Sequence, residues 1–227
     1  ATALFMTGDA DAAHVRPANC ALKAICVSSP IHNQKRASQM AEIDRIRRLE
    51  GIAFFLCFAG MIPLSNWLIG NVGTTCIPEG PCLIPVAPGL DAPSGVLAVG
   101  LALTLRDLVQ RRLGLNWSIA AIALGALLSA SFAPPALVVA STAAFLLSEF
   151  ADLAVYTPLQ RRRFVRAVIA SSIVGLVVDS MVFLWIAFGS LEFLGGQVIG
   201  KAWMVLLCLP IMVRLRKRDA RIGLEAV

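Results

Sequence analysis

Two oppositely charged residues interrupt apolar runs in the second half of the chain, Asp179 in one run and Lys201 in the next. A carboxylate can accept two N–H donors of a planar solute side by side, and an ammonium group can neutralise it. An ion pair that only aids packing explains the same two residues. A pair whose carboxylate takes up a proton would instead act as a switch. Trp185 and Trp203 could form an aromatic wall beside the pair, although packing and interfacial roles are equally common for tryptophan.

Small residues precede Asp179 by one and two helical turns. They are Ser171, Ser172 and Gly175. Small side chains let helix backbones approach closely inside a membrane. The pattern therefore predicts either tight helix packing or a cavity beside the carboxylate.

A second polar set is Glu149, Asp152 and Tyr156, spaced at i, i+3 and i+7. This spacing places the three side chains on one helical face. The carboxylates are candidates for binding a solute. The alternative is an interfacial set that reaches lipid headgroups or pairs with Arg161–Arg163.

Two further polar positions lie earlier in the chain. Asp107 follows Arg106 in an apolar run, and its i, i+4 spacing to Arg111 also suits a local pair. The amide of Asn66 offers donors and acceptors to a solute, and an interhelical hydrogen bond would explain it equally well.

The elements that must hold these residues are apolar. The chain has 227 residues, of which 58% are apolar and only 15% charged, with a mean hydropathy of +0.77. Ordinary soluble proteins are about 25% charged. The apolar residues form long blocks, and inside a bilayer such blocks must be helices that satisfy their own backbone hydrogen bonds. The composition predicts an all-α integral membrane protein.

The blocks and the charges between them predict six transmembrane helices. A spanning helix needs about 20 mostly apolar residues. Lys and Arg cluster before the first block, between the second and third, between the fourth and fifth, and after the sixth, whereas the other connections have none. Basic loops are cytoplasmic, so both termini are predicted to be cytoplasmic. The six blocks are 51–70, 93–112, 115–132, 135–156, 166–188 and 191–213.

The two ends of the chain differ from the apolar centre. Residues 1–50 are predicted to be a largely disordered cytoplasmic extension, in which Ala37–Glu50 forms a basic amphipathic lead-in at the membrane surface. Residues 51–213 form the transmembrane domain, and 214–227 a basic cytoplasmic tail. The excess positive charge is thus an orientation signal, and no nucleic-acid binding is expected.

The cysteines and histidines limit the chemistry. Cys76 and Cys82 share a loop on the predicted outer side, where the environment is oxidising, so they form either a disulfide or two free thiols. The only histidines, His14 and His32, lie in the extension. A histidine-ligated haem or metal centre inside the membrane is therefore not expected, and no cofactor is predicted. The chain also has no phosphate loop of the Walker type.

The order of the polar and small residues carries a family resemblance, which spans about residues 51–213. The chain resembles the queuosine precursor transporter family, also called the vitamin uptake transporter family. The residues that carry the resemblance are Ser65-Asn66-Trp67, Asp107-Leu108 with Arg111 and Gly114, Asp152 with Val155, Ala170-Ser171-Ser172 with Gly175, Asp179 with Phe183–Phe188, and Lys201 ahead of Leu209-Pro210.

The resemblance implies a six-helix importer in the bacterial inner membrane rather than an enzyme. Its substrates would be 7-deazaguanine bases, such as 7-cyano-7-deazaguanine and its aminomethyl relative, carried by alternating access. Two departures from the family concern the ligand. Glu149 stands where family members tend to have glutamine, and Ala154 where a polar residue can occur.

The resemblance also suggests roles for the polar residues. Asp179 and Asp152 would accept the N–H donors of the base, and Lys201 would be the charge partner of Asp179. Further contacts would come from polar groups and from an aromatic wall on which the flat ring could stack. The full set of predicted substrate-binding residues is Asp179, Asp152, Asn66, Lys201, Glu149, Asp107, Trp185, Trp203 and Tyr156.

Other readings remain open at this stage. The chain could be the substrate-binding subunit of an energy-coupling vitamin importer, served by separate ATPase partners. It could also be a membrane enzyme that modifies lipids, or a structural protein in which Asp179 and Lys201 only aid packing. The expected partners are the base and membrane lipids, and the chain could form a homodimer.

Overall fold

The computed structural model describes residues 30–78, 80–133 and 135–224. Contacts divide the chain into Ala1–Met40 and Ala41–Val227, and the helices of the second unit pack around two hydrophobic clusters. The elements are α1 (Pro30–Asn71), β1 (Thr75–Cys76), β2 (Cys82–Ala87), β3 (Leu90–Pro93), α2 (Val96–Leu113), α3 (Leu115–Phe132), a 3-10 turn (Pro135–Leu137), α4 (Val138–Phe188) and α5 (Leu194–Ile222).

The first helix is longer than the sequence predicted. α1 runs for 42 residues, so the lead-in Ala37–Glu50 and the first apolar block form one continuous helix. The reason is local, because no Gly or Pro stands between Pro30 and Gly51 and the intervening Ala, Gln, Glu and Arg favour helix. The structure therefore has helix at residues 30–50, including the predicted lead-in Ala37–Glu50. The rest of the predicted extension, residues 1–29, lies outside the described residues.

The predicted fourth and fifth blocks lie in the single long helix α4. Its backbone leaves helical geometry at Arg163, where φ is −139° and ψ is 59°. Pro158, one turn earlier, lacks the N–H that the helix ladder needs. The break separates α4a (138–162) from α4b (164–188).

Four helices are long and apolar enough to cross a membrane: Gln34–Asn71, Leu115–Phe132, Val138–Phe188 and Leu194–Ile222. α2 is not among them because its second half carries charged residues, all buried against neighbouring helices. Large apolar side chains such as Leu56, Leu127, Val139 and Leu207 are more than 60% exposed on the outside of the bundle. A surface of this kind suits lipid and would be a liability in water. The structure is that of an all-α membrane protein with a small β addition.

The β addition is a three-stranded antiparallel sheet in the connection between α1 and α2, which the sequence analysis did not predict. Cys76 and Cys82 face each other across the β1–β2 pair and are joined by a disulfide. The sheet contacts α5, where Gly196 passes so close to β3 that an added Cβ would lie 2.1 Å from the carbonyl oxygen of Asp91. The sheet therefore covers one end of the bundle.

α2 is central to the packing and contacts α3, α4 and α5. One core cluster forms around Phe58, Ile122 and Phe145, and a second around Tyr156 and Met212. Glycines allow the closest approaches, as the small-residue pattern predicted for membrane helices.

Charged side chains join α1, α2 and α5 at the end of the bundle away from the sheet. Arg112 Nε contacts Glu50 Oε2 at 2.9 Å, and Arg112 Nη2 donates to Asp219 Oδ1 at 2.9 Å. Arg111 Nη2 donates to Asp219 Oδ2 at 3.0 Å, so the local pair between Asp107 and Arg111 is not formed. Arg218 also binds Glu50. We call Glu50, Arg111, Arg112, Arg218 and Asp219 the terminal ion cluster.

Gly100→Ala is expected to lower the melting temperature of the purified protein. Its Cβ would lie 2.7 Å from the backbone oxygen of Lys201, so α2 and α5 would have to separate. Overpacking of this kind costs about 1–3 kcal/mol. The matched control is Gly60→Ala, which meets nothing within 4 Å and should be neutral or stabilising because alanine favours helix. Equal melting temperatures for the two variants would contradict the close α2–α5 contact.

Asp219→Asn is expected to destabilise the protein because it removes the carboxylate shared by Arg111 and Arg112. Breaking a buried pair from one side typically costs about 3–5 kcal/mol. The control is Asp44→Asn, since Asp44 is 54% exposed and its pair with Arg47 is of the weak surface kind. Thermal unfolding in detergent would compare them, and a loss no larger than that of the control would refute a stabilising terminal ion cluster.

Candidate functional site

An open cavity lies inside the bundle, on the side nearer the sheet. Its empty volume is about 720 Å³ including the mouth. Every helix contributes. The lining residues are Ile62, Ser65, Asn66, Ile69, Pro93, Gly95, Val96, Val99, Ala102, Leu103, Ser129, Ser141, Ala144, Phe145, Ser148, Glu149, Asp179, Phe183, Gln197 and Lys201.

The predicted ion pair between Asp179 and Lys201 is confirmed. Lys201 Nζ donates to Asp179 Oδ2 at 2.5 Å, to Ser180 Oγ at 2.7 Å and to Gln197 Oε1 at 2.8 Å. An ammonium group has three donors, so the protein satisfies all of them. Lys201 therefore neutralises and orients Asp179 and has no free donor for a solute.

Asp179 keeps capacity to bind a solute. Among the described residues, its Oδ1 has only the Ser148 hydroxyl as a donor, at the long distance of 3.5 Å. A carboxylate oxygen can accept two hydrogen bonds. Asp179 thus presents one well-oriented and weakly occupied oxygen at the cavity wall.

Arg106 is a functional candidate that the sequence analysis named without giving it a role. Its side chain is fully buried. Its Nε donates to Glu149 Oε2 at 2.9 Å, its Nη1 lies 3.0 Å from Asp107 Oδ1, and its Nη2 donates to Asp152. We call Arg106, Asp107, Glu149 and Asp152 the Arg106 cluster. The sequence could have indicated this role, because several carboxylates at membrane depth require a nearby cation and Arg106 lies beside Asp107.

Local geometry explains how the Arg106 cluster forms. Residues 149 and 152 are one turn apart on α4a, so both carboxylates meet the same guanidinium on α2. Ser171 Oγ on α4b donates to Asp107 Oδ2 at 3.2 Å. A Cβ on Gly175 would lie 3.1 Å from Asp152 Oδ2, so glycine makes room for this carboxylate. The small residues before Asp179 therefore serve Asp107 and Asp152, and the pairing of Glu149 and Asp152 with Arg161–Arg163 is not formed.

The structure separates the predicted substrate-binding residues into three groups. Asn66, Glu149, Asp179 and Lys201 line the cavity. Asp107, Asp152 and Tyr156 are buried around Arg106 and do not line it. Trp185 and Trp203, expected as an aromatic wall, are 64% and 50% exposed on the surface of the bundle, and Trp203 Nε1 donates to the carbonyl oxygen of Val86 on β2 at 3.1 Å.

Other residues at the cavity were missed by sequence reasoning. The aromatic side chains there are Phe145 and Phe183. Both residues lie in continuous apolar segments, and such segments do not indicate which helix face would border a cavity. The polar residues missed are Ser65, Ser129, Ser141, Ser148 and Gln197, since short hydroxyl side chains are common at helix contacts.

The arrangement suits a solute with N–H donors. Glu149 and Asp179 each bring a carboxylate to the cavity, and each is held from behind by a buried cation. Among the described residues no group of His, Cys, Asp or Glu is placed to hold a metal ion. The site can therefore bind a small hydrogen-bonding molecule through its own side chains.

Lys201→Met is expected to destabilise the fold by about 3–5 kcal/mol because it leaves Asp179 buried without its cation. The double variant Asp179→Asn with Lys201→Met should recover much of this loss, because both charges are then removed. Thermal unfolding of the single and double variants measures the coupling. A double variant as unstable as the sum of the two single variants would contradict a direct ion pair.

Comparison with known protein families concerns the second half of the chain. A family model described as "Putative vitamin uptake transporter" matches residues 116–215, a stretch that includes Glu149, Asp152, Asp179 and Lys201. No curated protein and no solved structure matches the chain. Over residues 116–215, the resemblance to the vitamin uptake transporter family is thus confirmed.

Proposed function

We propose that this protein imports a 7-deazaguanine base, a precursor of queuosine, across the bacterial inner membrane by alternating access. The observation that carries the proposal is the cavity inside a membrane-type helical bundle, with the carboxylates of Glu149 and Asp179 at its wall. The match to a vitamin uptake transporter family supports transport rather than catalysis.

The proposed topology has six spans. α4a and α4b are separate spans because the chain breaks at Arg163, beside the basic residues Arg161 and Arg162. α2 is a span whose charges are compensated by neighbouring helices rather than by water. With six spans, both termini lie on the cytoplasmic side, which agrees with the basic residues at these ends.

Recognition would use the donor edge of the base. A 7-deazaguanine presents neighbouring N–H groups, and a carboxylate can accept two of them at once. Asp179 is the principal acceptor because Lys201 pairs with it and orients it, and Glu149 is the second. Asn66 adds an amide, and the rings of Phe145 and Phe183 offer faces for stacking. Asp152 and Asp107 act from behind Glu149, through Arg106.

Alternating access requires the two ends of the bundle to open in turn. Residues next to the sheet, Pro93 and Gly95, line the cavity, whereas the terminal ion cluster joins α1, α2 and α5 at the opposite end. This distribution supports an outward-open state in which the cytoplasmic end is held closed by ion pairs.

The test is uptake in a bacterial host that cannot make queuosine precursors, scored as queuosine in its transfer RNA. The wild-type chain should restore queuosine when 7-cyano-7-deazaguanine or its aminomethyl form is supplied. Asp179→Asn should reduce uptake about tenfold or more, because a charge-assisted hydrogen bond is worth about 1.5–3 kcal/mol and tenfold corresponds to 1.4 kcal/mol.

The matched control is Glu192→Gln, which removes an exposed carboxylate from the connection before α5 and should transport normally. Membrane levels of all variants would be compared by immunoblot. Failure of the wild-type chain to restore queuosine with either base would exclude this substrate class. Rescue only when separate ATPase subunits are supplied would instead identify a subunit of an energy-coupling importer.

A further inference from the structure

The Arg106 cluster has more acid than base. One guanidinium faces the carboxylates of Asp107, Glu149 and Asp152, and none of the four side chains is more than 2% exposed. With every group ionised, the cluster would carry two uncompensated negative charges. Buried carboxylates without a counter-charge neutralise by taking up protons.

Neighbouring helices do not supply the missing positive charge. On α5, Lys201 is matched by Asp179 of α4b. Further along α2, Arg111 shares Asp219 with Arg112 and lies over the ring of Phe164. The terminal ion cluster has three cations and two carboxylates, so it offsets at most one of the two negative charges. The hydroxyl of Tyr156 on α4a is neutral, and neither α3 nor residues 51–71 of α1 contain a charged residue. At least one negative charge of the Arg106 cluster therefore has no counter-charge among the described residues.

The positions of the carboxylate oxygens indicate where a proton would reside. Asp107 Oδ2 accepts from Ser171, and Asp152 Oδ1 accepts from Arg106. Their other oxygens, Asp107 Oδ1 and Asp152 Oδ2, are buried and find no hydrogen-bond partner in the described part of the chain. The contact of Asp107 Oδ1 with Arg106 Nη1, at 3.0 Å, is an ion pair without hydrogen-bond alignment. A proton at Asp152 Oδ2 would neutralise the carboxylate whose unpartnered oxygen has no cation in contact with it.

A metal cation is a poorer fit for the same charge. The described carboxylates do not converge as ligands around one point. Ca²⁺ would need six or more oxygen ligands, and the guanidinium already occupies the space between the acids. A proton needs no such shell.

We propose that Asp107 and Asp152 together bind one proton that is transported with the substrate. The inference rests on the proposed import function and deepens it. It moves proton coupling away from Asp179, where the sequence suggested it, because Asp179 is already neutralised one-to-one by Lys201.

Arg106 connects this proton site to the cavity. Its Nε holds Glu149, which lines the cavity, while its Nη2 holds Asp152 behind it. Carboxylates that share one cation compete for the ionised state. A proton on the Asp107/Asp152 pair therefore keeps Glu149 ionised and able to accept N–H donors from the base. By reciprocity, a base bound to ionised Glu149 strengthens proton binding at the Asp107/Asp152 pair. The base and the proton are therefore transported into the cell together.

The first test locates the proton without a substrate. Infrared spectra of the purified full chain at neutral pH should contain the C=O band of a protonated carboxyl group. Asp107→Asn and the double variant Asp107→Asn with Asp152→Asn should lose the band, whereas Asp179→Asn should retain it. Size-exclusion profiles would establish that each variant is folded. Absence of the band in wild type, or its persistence in the double variant, overturns the proposal.

The second test measures coupling in liposomes that contain a pH dye. A gradient of 7-cyano-7-deazaguanine should drive proton entry in wild type and in Glu192→Gln. In the double variant Asp107→Asn with Asp152→Asn, the rate of proton entry should fall at least tenfold relative to wild type. The rate of base exchange should fall by a smaller factor. Base transport in wild type with no proton movement overturns the coupling. A carboxyl band in a protein that neither binds nor exchanges the base would contradict the proposed function and leave the proton site intact.

Discussion

Charge inside a low-dielectric bundle must be compensated by other groups of the protein, and Arg106 is the residue on which this compensation depends. Its ion pairs with Glu149 and Asp152 connect α2 to α4a. The hydrogen bond from the Ser171 hydroxyl to Asp107 connects α2 to α4b. Without a cation at this point, three carboxylates on adjacent helices would repel one another where water cannot screen them. α2 can thus lie within a membrane bundle although its composition is too polar to cross a bilayer alone.

The same need for charge compensation explains why the cavity wall presents hydrogen-bond acceptors. Each carboxylate at the wall has a cation behind it, Lys201 for Asp179 and Arg106 for Glu149. The cations are buried and their donors are used by protein groups, so the cavity presents acceptors rather than positive charge. Serine hydroxyls and two phenylalanine rings complete a surface that favours a flat, neutral solute with N–H groups over an anion.

The sequence predicted the apolar segments well because a continuous run of about 20 apolar residues has few alternatives in a bilayer. It failed where the backbone conformation is set by contacts distant in sequence. The β2 strand Cys82–Ala87 is short and contains Pro85, and it becomes a strand only by pairing with β1 and β3. At residues 30–50 polar composition suggested little regular structure outside the lead-in, whereas the structure has helix there, since the residues themselves favour helix.

The sequence by itself determined the class of protein, some of the positions where charge is buried and the pairing of Asp179 with Lys201, because each follows from the cost of charge in an apolar segment. Only the tertiary structure decided that Arg106 serves three carboxylates, that Asp107 and Asp152 lie behind Glu149, and that Phe145 and Phe183 rather than Trp185 and Trp203 border the cavity. These facts depend on the rotation of each helix about its axis. This rotation is fixed by packing between helices that are distant in the chain. Examples are the close contacts of Gly100 with the backbone of Lys201 and of Gly175 with the side chain of Asp152.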